Sequence, residues 1–463
     1  MRTPLLILYI FILSGIQVFA QSDWSMVSNN KERTAYMQTD QLFPPLTIDD
    51  YFNIYGESVV TYGDIIYITN GGGNNQLTAY DRNQKMELWT FELPGGTGSV
   101  GNVPAVDGDL VFIGGQHALG LYALNRHTGA EQWMKPIGSL HSSNAVPDGQ
   151  GHVFIASQDS FYCLNSSDGS TVWVNDRGGT FTPTLHGENV YINRINTLFV
   201  YYASTGDPRW SRTTPNGVRG HILADDGIIY DCKQDQICAY AENAYKYWCY
   251  TLPDGQRIAD FSSGSAILSD SVLCFVVWTG NNNNSTLYAL NRKNGELRWK
   301  YNFDTEGISS PSASNGVVYV AGAYQNWLRG IDIMTGELVF EDMSTQYWGQ
   351  PIITDNRLYA LGFNGISVFK TNPSQIEELK KENEIIVYPN PFSERISITL
   401  PGLTNSMIEI FLHDLTGVIR IKKEIYSNQG TFEFFVEDLF PGIYFMEVRM
   451  DNQSIIEKLL KEK

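Results

Sequence analysis

The side chains able to do chemistry are dispersed through this 463-residue sequence. Seven histidines stand at positions 117, 127, 141, 152, 186, 221 and 413, and no two share the short spacing that sets a pair of imidazoles on one element to hold a metal ion. The loops Gly71 to Asn75 and Asn281 to Asn284 could give oxygen ligands to a structural calcium ion, but neither carries the ladder of carboxylates that a dedicated calcium loop needs. They read as long connections between strands. Asn283 and Asn284 also match the glycosylation triplet, a short pattern with many chance matches. There is no Gly-x-Ser-x-Gly elbow, phosphate-binding loop, His-Glu-x-x-His helix or Cys-x-x-Cys-His haem site. Residue types and spacing therefore give no catalytic, cofactor-binding or metal set.

Five cysteines leave at least one unpaired if the others bridge. Cys232 and Cys238 are the candidate pair, because they flank Lys233-Gln234-Asp235-Gln236, a plausible hairpin turn that would set the two side chains opposite each other. Sequence alone does not fix the connectivity. Cys163 reads as a small buried apolar residue instead.

The elements that would position any site follow from composition. Hydrophobic residues make up 43% and charged residues 18%, the balance of a folded chain rather than a disordered one. Forty-two glycines and 13% aromatics lean toward strands and turns. A net charge of −18, with no basic cluster to interrupt it, opposes binding to nucleic acid or anionic lipid. Met1 and Arg2, then the apolar run Leu5 to Ile16 and Val18-Phe19-Ala20, read as a signal peptide cleaved between Ala20 and Gln21. The run is too short for a stable membrane span, no later run reaches the roughly 18 residues required, and no cysteine adjoins the junction to take a lipid. The mature chain is expected to lack a transmembrane span.

A repeat organises the chain. Trp89, Trp133, Trp173, Trp210, Trp248 and Trp299 follow at intervals of 44, 40, 37, 38 and 51 residues, and Phe340 comes 41 later, spacing suited to a four-stranded blade. Ala123-Leu124-Asn125-Arg126-His127-Thr128-Gly129-Ala130-Glu131-Gln132-Trp133 recurs from Ala289 to Trp299, from Cys163 to Trp173 and from Gly330 to Phe340. The copy ending at Trp89 lacks the Gly, and the copy from Ala239 to Trp248 is one residue shorter and lacks it too. Asp or Asn caps the turn, Gly supplies a positive φ, and the small first residue lets neighbouring sheets approach under the indole. A second recurring strand has eight copies, from Val59 to Ile68 through Pro351 to Leu361, against seven Trp or Phe units. The eighth set, ending at Gly365 to Phe369, lacks a docking aromatic. Trp24-Ser25-Met26-Val27 is therefore expected to pair with the last blade and close the ring. The expected fold is all-β, an eight-bladed β-propeller with seven blades as the alternative, over residues 21–371.

The Ala-x-Asp-x-x-Thr-Gly-x-x-x-Trp pattern resembles the tryptophan-docking repeat of the pyrroloquinoline-quinone (PQQ)-like propeller superfamily, over roughly residues 22–371. That resemblance implies the fold. It leaves function open, since the superfamily includes quinone-dependent dehydrogenases as well as cofactor-free binding and assembly proteins. Many of the dehydrogenases carry an adjacent cysteine pair beside the cofactor, and no two cysteines are neighbours here.

Residues 372–384, with Glu377, Glu378, Lys380, Lys381, Glu382 and Glu384, read as a solvated linker. From 385 to 463, short alternating runs at Ile396 to Leu400, Met407 to His413, Phe432 to Val436 and Ile443 to Val448 suggest a small immunoglobulin-like β-sandwich. Val387-Tyr388-Pro389-Asn390-Pro391-Phe392, Leu412-His413-Asp414-Leu415-Thr416-Gly417, Leu439-Phe440-Pro441-Gly442-Ile443-Tyr444 and Glu457-Lys458-Leu459-Leu460-Lys461 resemble the type A sorting domain of the type IX secretion system of Bacteroidetes. The resemblance implies handling by that machinery and delivery to the cell surface or the medium, with Tyr388, Pro389, Asn390, Pro391, Gly417, Gly442, Tyr444 and Lys458 as motif positions. For the propeller a binding or scaffold role is expected, with a glycan or protein ligand and no cofactor. Tyr324-Gln325-Asn326-Trp327 and Gln346-Tyr347-Trp348-Gly349 offer Trp327 and Trp348 as ligand contacts, unless these rings belong to the core. The competing expectation is an exported enzyme, such as a quinone-dependent dehydrogenase or a polysaccharide-active protein.

Overall fold

The computed structural model describes residues 23–372 and 386–461, apart from 38–39, 41, 71–74, 96–101, 116–117, 139, 141–142, 180, 195, 214–221, 260–265, 270, 280–283, 307 and 323–324 in the first stretch and 389–391, 393, 400–405, 415–418, 428–430, 437–438, 440–441 and 451–452 in the second. Ala20 and Gln21, the expected signal-cleavage residues, lie outside the described residues, as do Pro389, Asn390, Pro391 and Gly417 of the sorting motif. The chain divides into two compact units after Thr371. No helix among the described residues is long and apolar enough to cross a membrane.

Runs of alternating apolar residues punctuated by Gly, Asn and Asp become antiparallel strands joined by tight turns. The first sheet, Ser58–Tyr62, Ile65–Asn70, Gln76–Asp81 and Met86–Glu92, is a simple meander. Further sheets span 105–135, 146–175, 184–213, 222–251, 256–306 and 312–342, each again with its strands in chain order. The sixth has an extra inner strand, Gln256–Ile258, and the seventh gains Tyr36–Met37, paired in parallel with Ser312–Ser314. The strand Ile65–Asn70 buries every side chain but its last, as expected where both faces are covered by neighbouring sheets, while Gln76–Asp81 buries Leu77 and Ala79 and leaves its other residues half-buried.

The eighth sheet corrects the expected closure. Its three C-terminal strands, Ile352–Thr354, Arg357–Gly362 and Gly365–Thr371, take a fourth from the other end of the chain, and that strand is Leu46–Phe52, antiparallel to Gly365–Thr371. Trp24 to Val27 do not pair with it. The backbone of this N-terminal segment explains why: Ser28, Asn29, Arg33 and Ala35 all have left-handed φ, incompatible with a continuous strand.

Instead the segment runs along the inner edges of the sheets in sequence. Its carbonyls accept the amides of Thr61 (at Trp24, 2.9 Å), Val106 (Ser25, 2.8 Å), Leu185 (Lys31, 2.9 Å), Ala224 (Glu32, 3.0 Å), Leu268 (Thr34, 2.9 Å) and Ala313 (Ala35, 2.9 Å). Those acceptors satisfy the otherwise unpaired edges of the first, second, fourth, fifth, sixth and seventh sheets. Trp24, Val27, Ala35 and Met37 are buried there in the same apolar cluster as the first, seventh and eighth sheets.

The second unit packs two sheets around one core. Ile386–Tyr388, Arg395–Thr399 and Thr431–Phe435 form one, and Ile419–Ser427, Ser406–Asp414, Gly442–Met450 and Gln453–Lys461 the other. Phe392, Ile396, Ile398, Ile410, Leu412, Tyr444, Met446 and Leu459 are buried between them. Tyr444 packs its ring on Phe392, Gly442 opens its strand, and Lys458 pairs with Phe445.

Candidate ligand-binding surface

The docking tryptophans build the seams. Trp133 sits opposite Ala123 at a bulge in the outer strand, where its ring lies over Gly169 of the next sheet and its Nε1 donates to the carbonyl of Ser166 at 2.8 Å. The same donation recurs from Trp89 to Arg126 (3.0 Å), Trp173 to Ala203 (2.8 Å), Trp210 to Glu242 (2.7 Å), Trp248 to Arg292 (3.1 Å) and Trp299 to Ile333 (3.0 Å). Each bond ties one sheet's outer strand to the last turn of its neighbour. The turn itself is held by its acidic or amide residue: Asn125 Oδ1 accepts the amides of His127 and Thr128, and Asp332 Oδ1 those of Met334 and Thr335.

Departures from the pattern have local causes. The eighth sheet takes its outer strand from Leu46–Phe52, so it has no turn between its third and fourth strands on which an indole could dock. Phe340 of the seventh sheet, with no N–H to donate, packs edge-on against Phe369 at 5.6 Å instead. Within the eighth sheet, Val368 pairs with Asp50 just before the bulge, as Ala79 pairs with Trp89. Asp50 thus occupies the register position that tryptophan holds elsewhere. Gly is needed at the facing turn because a Cβ at Gly129 or Gly169 would come within 2.6 Å of the indole above it. Opposite Asp50 no indole is present, and Lys85 takes that place and pairs with the carboxylate.

The missing indole leaves a cleft of about 260 Å³ between the eighth and first sheets. Asp49, Asp50, Asp64 and Asp355 line it with Arg82 and Arg357, and Phe52, Tyr359 and Val368 also border it. Arg357 Nε bonds Asp49 Oδ2 at 2.6 Å, Lys370 Nζ holds Asp49 Oδ1 at 2.5 Å, and Arg82 pairs with Asp355. Burial pushes the Asp49 carboxyl up, but the hydrogen bonds from Lys370 and Arg357 outweigh it and hold the group below its ordinary range. Arg82 is 9% exposed, and its Nη1 finds no hydrogen-bond acceptor among the described residues.

At the same seam Trp348 donates Nε1 to the Gly56 carbonyl at 3.0 Å and is flanked by Tyr55 and Phe363, ring centroids 5.4 and 6.3 Å away. Tyr55 is 56% and Phe363 62% exposed, so these two rings are open while the half-buried Trp348 anchors them. Neither flanking residue belongs to the repeat pattern, which is why sequence reasoning missed both. Trp327 is corrected to a core residue. It is 5% exposed and stacks on Phe303 at 5.2 Å with the rings 1° from parallel, leaving no free face.

The disulfide also differs from expectation. Cys238 bonds Cys249, directly opposite it on the neighbouring strand with Cα atoms 4.1 Å apart. In the other direction Cys238 pairs with Asp231, and Cys232 with Ile237, so the two cysteines first considered are out of register. Cys163, Cys232 and Cys274 are free and buried. Of the histidines, His152 bonds Asp148 at 2.9 Å, His413 approaches Glu447 at 3.2 Å, and His186 accepts the Gly227 amide at 3.1 Å. His127 lies 3.9 Å from Asp109, while His117, His141 and His221 lie outside the described residues. Among the described residues no group of three or more His, Cys, Asp or Glu is placed to hold a metal ion.

Successive antiparallel sheets wedged by indoles, followed by a small separate β unit, place the chain in the class of β-propeller proteins. It belongs to the PQQ-like propeller-repeat family whose profile is described as outer membrane protein assembly factor BamB, matched over residues 24–244, 159–273 and 248–347. The secretion-system C-terminal sorting domain is matched over 386–462, which assigns the chain to type IX export to the cell surface or the medium. The chain is 25% identical over 254 residues to tetrathionate hydrolase of Acidithiobacillus ferrooxidans, covering 53% of this chain and 45% of that protein. It is 25% identical over 247 residues to BamB of Yersinia pestis, covering 46% of this chain and 60% of the other. It thus spans about half the length of these curated relatives. Among solved structures, BamB of Moraxella catarrhalis superposes with a TM-score of 0.56 at 17% identity, over 71% of this chain and 98% of that one. Quinohemoprotein alcohol dehydrogenase of Comamonas testosteroni superposes with a TM-score of 0.62 at 13% identity, over 75% and 80%. At these identities the structural likeness establishes the fold alone.

Proposed function

We propose that the first unit is an eight-bladed propeller acting as a binding or scaffold module at the cell surface or in the medium, with the second unit an immunoglobulin-like sandwich that serves export. The observation that carries the binding role is the open aromatic group at the seam of the eighth and first sheets, where exposed Tyr55 and Phe363 flank the anchored Trp348. Rings held this way present apolar faces at little entropic cost and suit stacking on sugar rings or clamping a peptide. Exposed Asn364, next to Phe363, and Gln346, two residues before Trp348, add amides for hydroxyl or backbone groups. The carboxylate- and guanidinium-lined cleft at the same seam favours a polar ligand. A protein ligand has further support from the relatives named as assembly factors.

The test is a screen of the purified mature chain against glycan and peptide panels, together with quinone-dependent dye reduction. Saturable binding without turnover, weakened at least tenfold in the double variant Tyr55→Ala/Phe363→Ala, is the expected result. Dye reduction by the wild type, or binding unaffected by the double variant, would overturn it. Asp50→Trp, which restores the indole found in the other outer strands, then reports whether the cleft contributes: if it does, ligand affinity falls as the cleft fills.

A further inference from the structure

The segment along the inner edges of the sheets carries one side chain that the fold leaves unsatisfied. Arg33 is 2% exposed and its backbone sits at a φ of 64°, a conformation that costs a non-glycine residue energy and is found where the surroundings impose it. Its Nη1 donates to the carbonyl of Thr182 at 3.2 Å, while Nε and Nη2 are buried without any acceptor among the described residues. These two nitrogens lie on one edge of the guanidinium, and their N–H bonds point the same way. That edge is the fork which two oxygens of a carboxylate or a tetrahedral oxyanion accept together.

Charge accounting isolates the same residue. The other buried cations described in the first unit are matched: Arg82 with Asp355, Arg292 with Asp225 at 2.7 Å, and Lys233 with Asp231 at 2.8 Å. Arg33 has no carboxylate partner among the described residues. Burial pushes its guanidinium down to about 10, which leaves it cationic at neutral pH, and its one electrostatic neighbour is the free thiol of Cys232, itself pushed up by burial and so uncharged. A buried cation with two idle donors is costly unless something supplies the missing charge and acceptors.

We propose that Arg33 binds a small oxyanion at the inner edge of the sheets, a carboxylate or a sulfate- or phosphate-type group, through the paired N–H groups of Nε and Nη2. The anion would neutralise a cation left unmatched among the described residues and lock the N-terminal segment against the fourth and fifth sheets. This site is independent of the seam surface described above.

Thermal unfolding of the mature full-length chain, exchanged into chloride and titrated with formate, sulfate or phosphate at constant ionic strength, tests the assignment. A saturable rise in Tm of several degrees is expected, with Arg33→Met folded but unresponsive and Arg33→Lys, a point charge without a fork, responding at least tenfold more weakly. Formate separates a carboxylate site from a tetrahedral one. Native mass spectrometry of the wild type should show one retained anion of matching mass. Equal responses in wild type and Arg33→Met, or a wild type that neither responds saturably nor retains an anion, would show that water satisfies the donors and would overturn the proposal. If Arg33→Met does not fold, the wild-type titration and its mass spectrum decide alone.

Discussion

One indole nitrogen and the glycine beneath its ring set how closely two sheets approach. Replacing Trp133 by Phe keeps most of the apolar area and removes the donation to Ser166, so a loss of about 1 kcal/mol is expected, whereas Trp133→Ala should cost about 3–5 kcal/mol by leaving a cavity. Gly169→Ala tests the other half of the contact. It places a Cβ 2.6 Å from the Trp133 ring at a φ of 69° and should lower Tm markedly, read by calorimetry against Gly108→Ala, which shares the positive φ but meets no neighbour within 4 Å. The cysteines give a second prediction: Cys249→Ser should cost about 2–4 kcal/mol, and a thiol reagent should leave Cys163, Cys232 and Cys274 unlabelled until unfolding, since all three are buried and burial raises each thiol, Cys163 to about 12. The indoles were legible in the sequence because each recurs in a fixed local context. Lys85 in place of Gly was legible only as an exception, because its cause, the absent indole at Asp50, depends on register between segments over 300 residues apart. The disulfide was misread for a related reason: proximity across the turn at 233–236 suggested one partner, while the next strand supplied the one in register.

At the scale of elements, the closing strand and the N-terminal segment respond to acid in opposite senses. Asp49 of Leu46–Phe52 sits below its ordinary value when folded, so its contribution is full above about pH 4 and is lost as pH falls through the folded value. Asp23 and Glu32 are raised, chiefly by burial, so their ionised forms oppose docking and the segment gains stability as pH falls toward those raised values. Amide exchange followed by mass spectrometry from pH 7 to pH 3, corrected for intrinsic rates, should show residues 24–37 losing no protection in mild acid while 46–52 loosens at the lower end. Uniform loosening of both would contradict this. The sequence reading found the hairpins of the sheets, whose alternation and turn residues are local. It missed Leu46–Phe52, which follows Pro44-Pro45 and is recognisable as a strand only through its partner at 365–371. In the second unit, Ile419–Ser427 and Gln453–Lys461 escaped notice because their interrupting charges, such as Lys422, Lys423 and Glu424, obscure the alternation.

Across the first unit, the strand Leu46–Phe52 joins the unit's last three strands in one sheet and the N-terminal segment satisfies the inner edges of six others, so sheets far apart in sequence share one set of bonds. The family and the export route were readable from repeats and from the tail motifs. Of the proposed ligand surface only Trp348 was readable, because Tyr55 and Phe363 converge on it only after the eighth sheet closes on the first. Amide exchange of the mature chain against a form beginning at residue 41 tests this arrangement most directly. A belt around a closed ring predicts that the shortened form loses protection together at Thr61, Val106, Leu185, Ala224, Leu268 and Ala313. Loss confined to the first sheet, with the other five amides still protected, would contradict it.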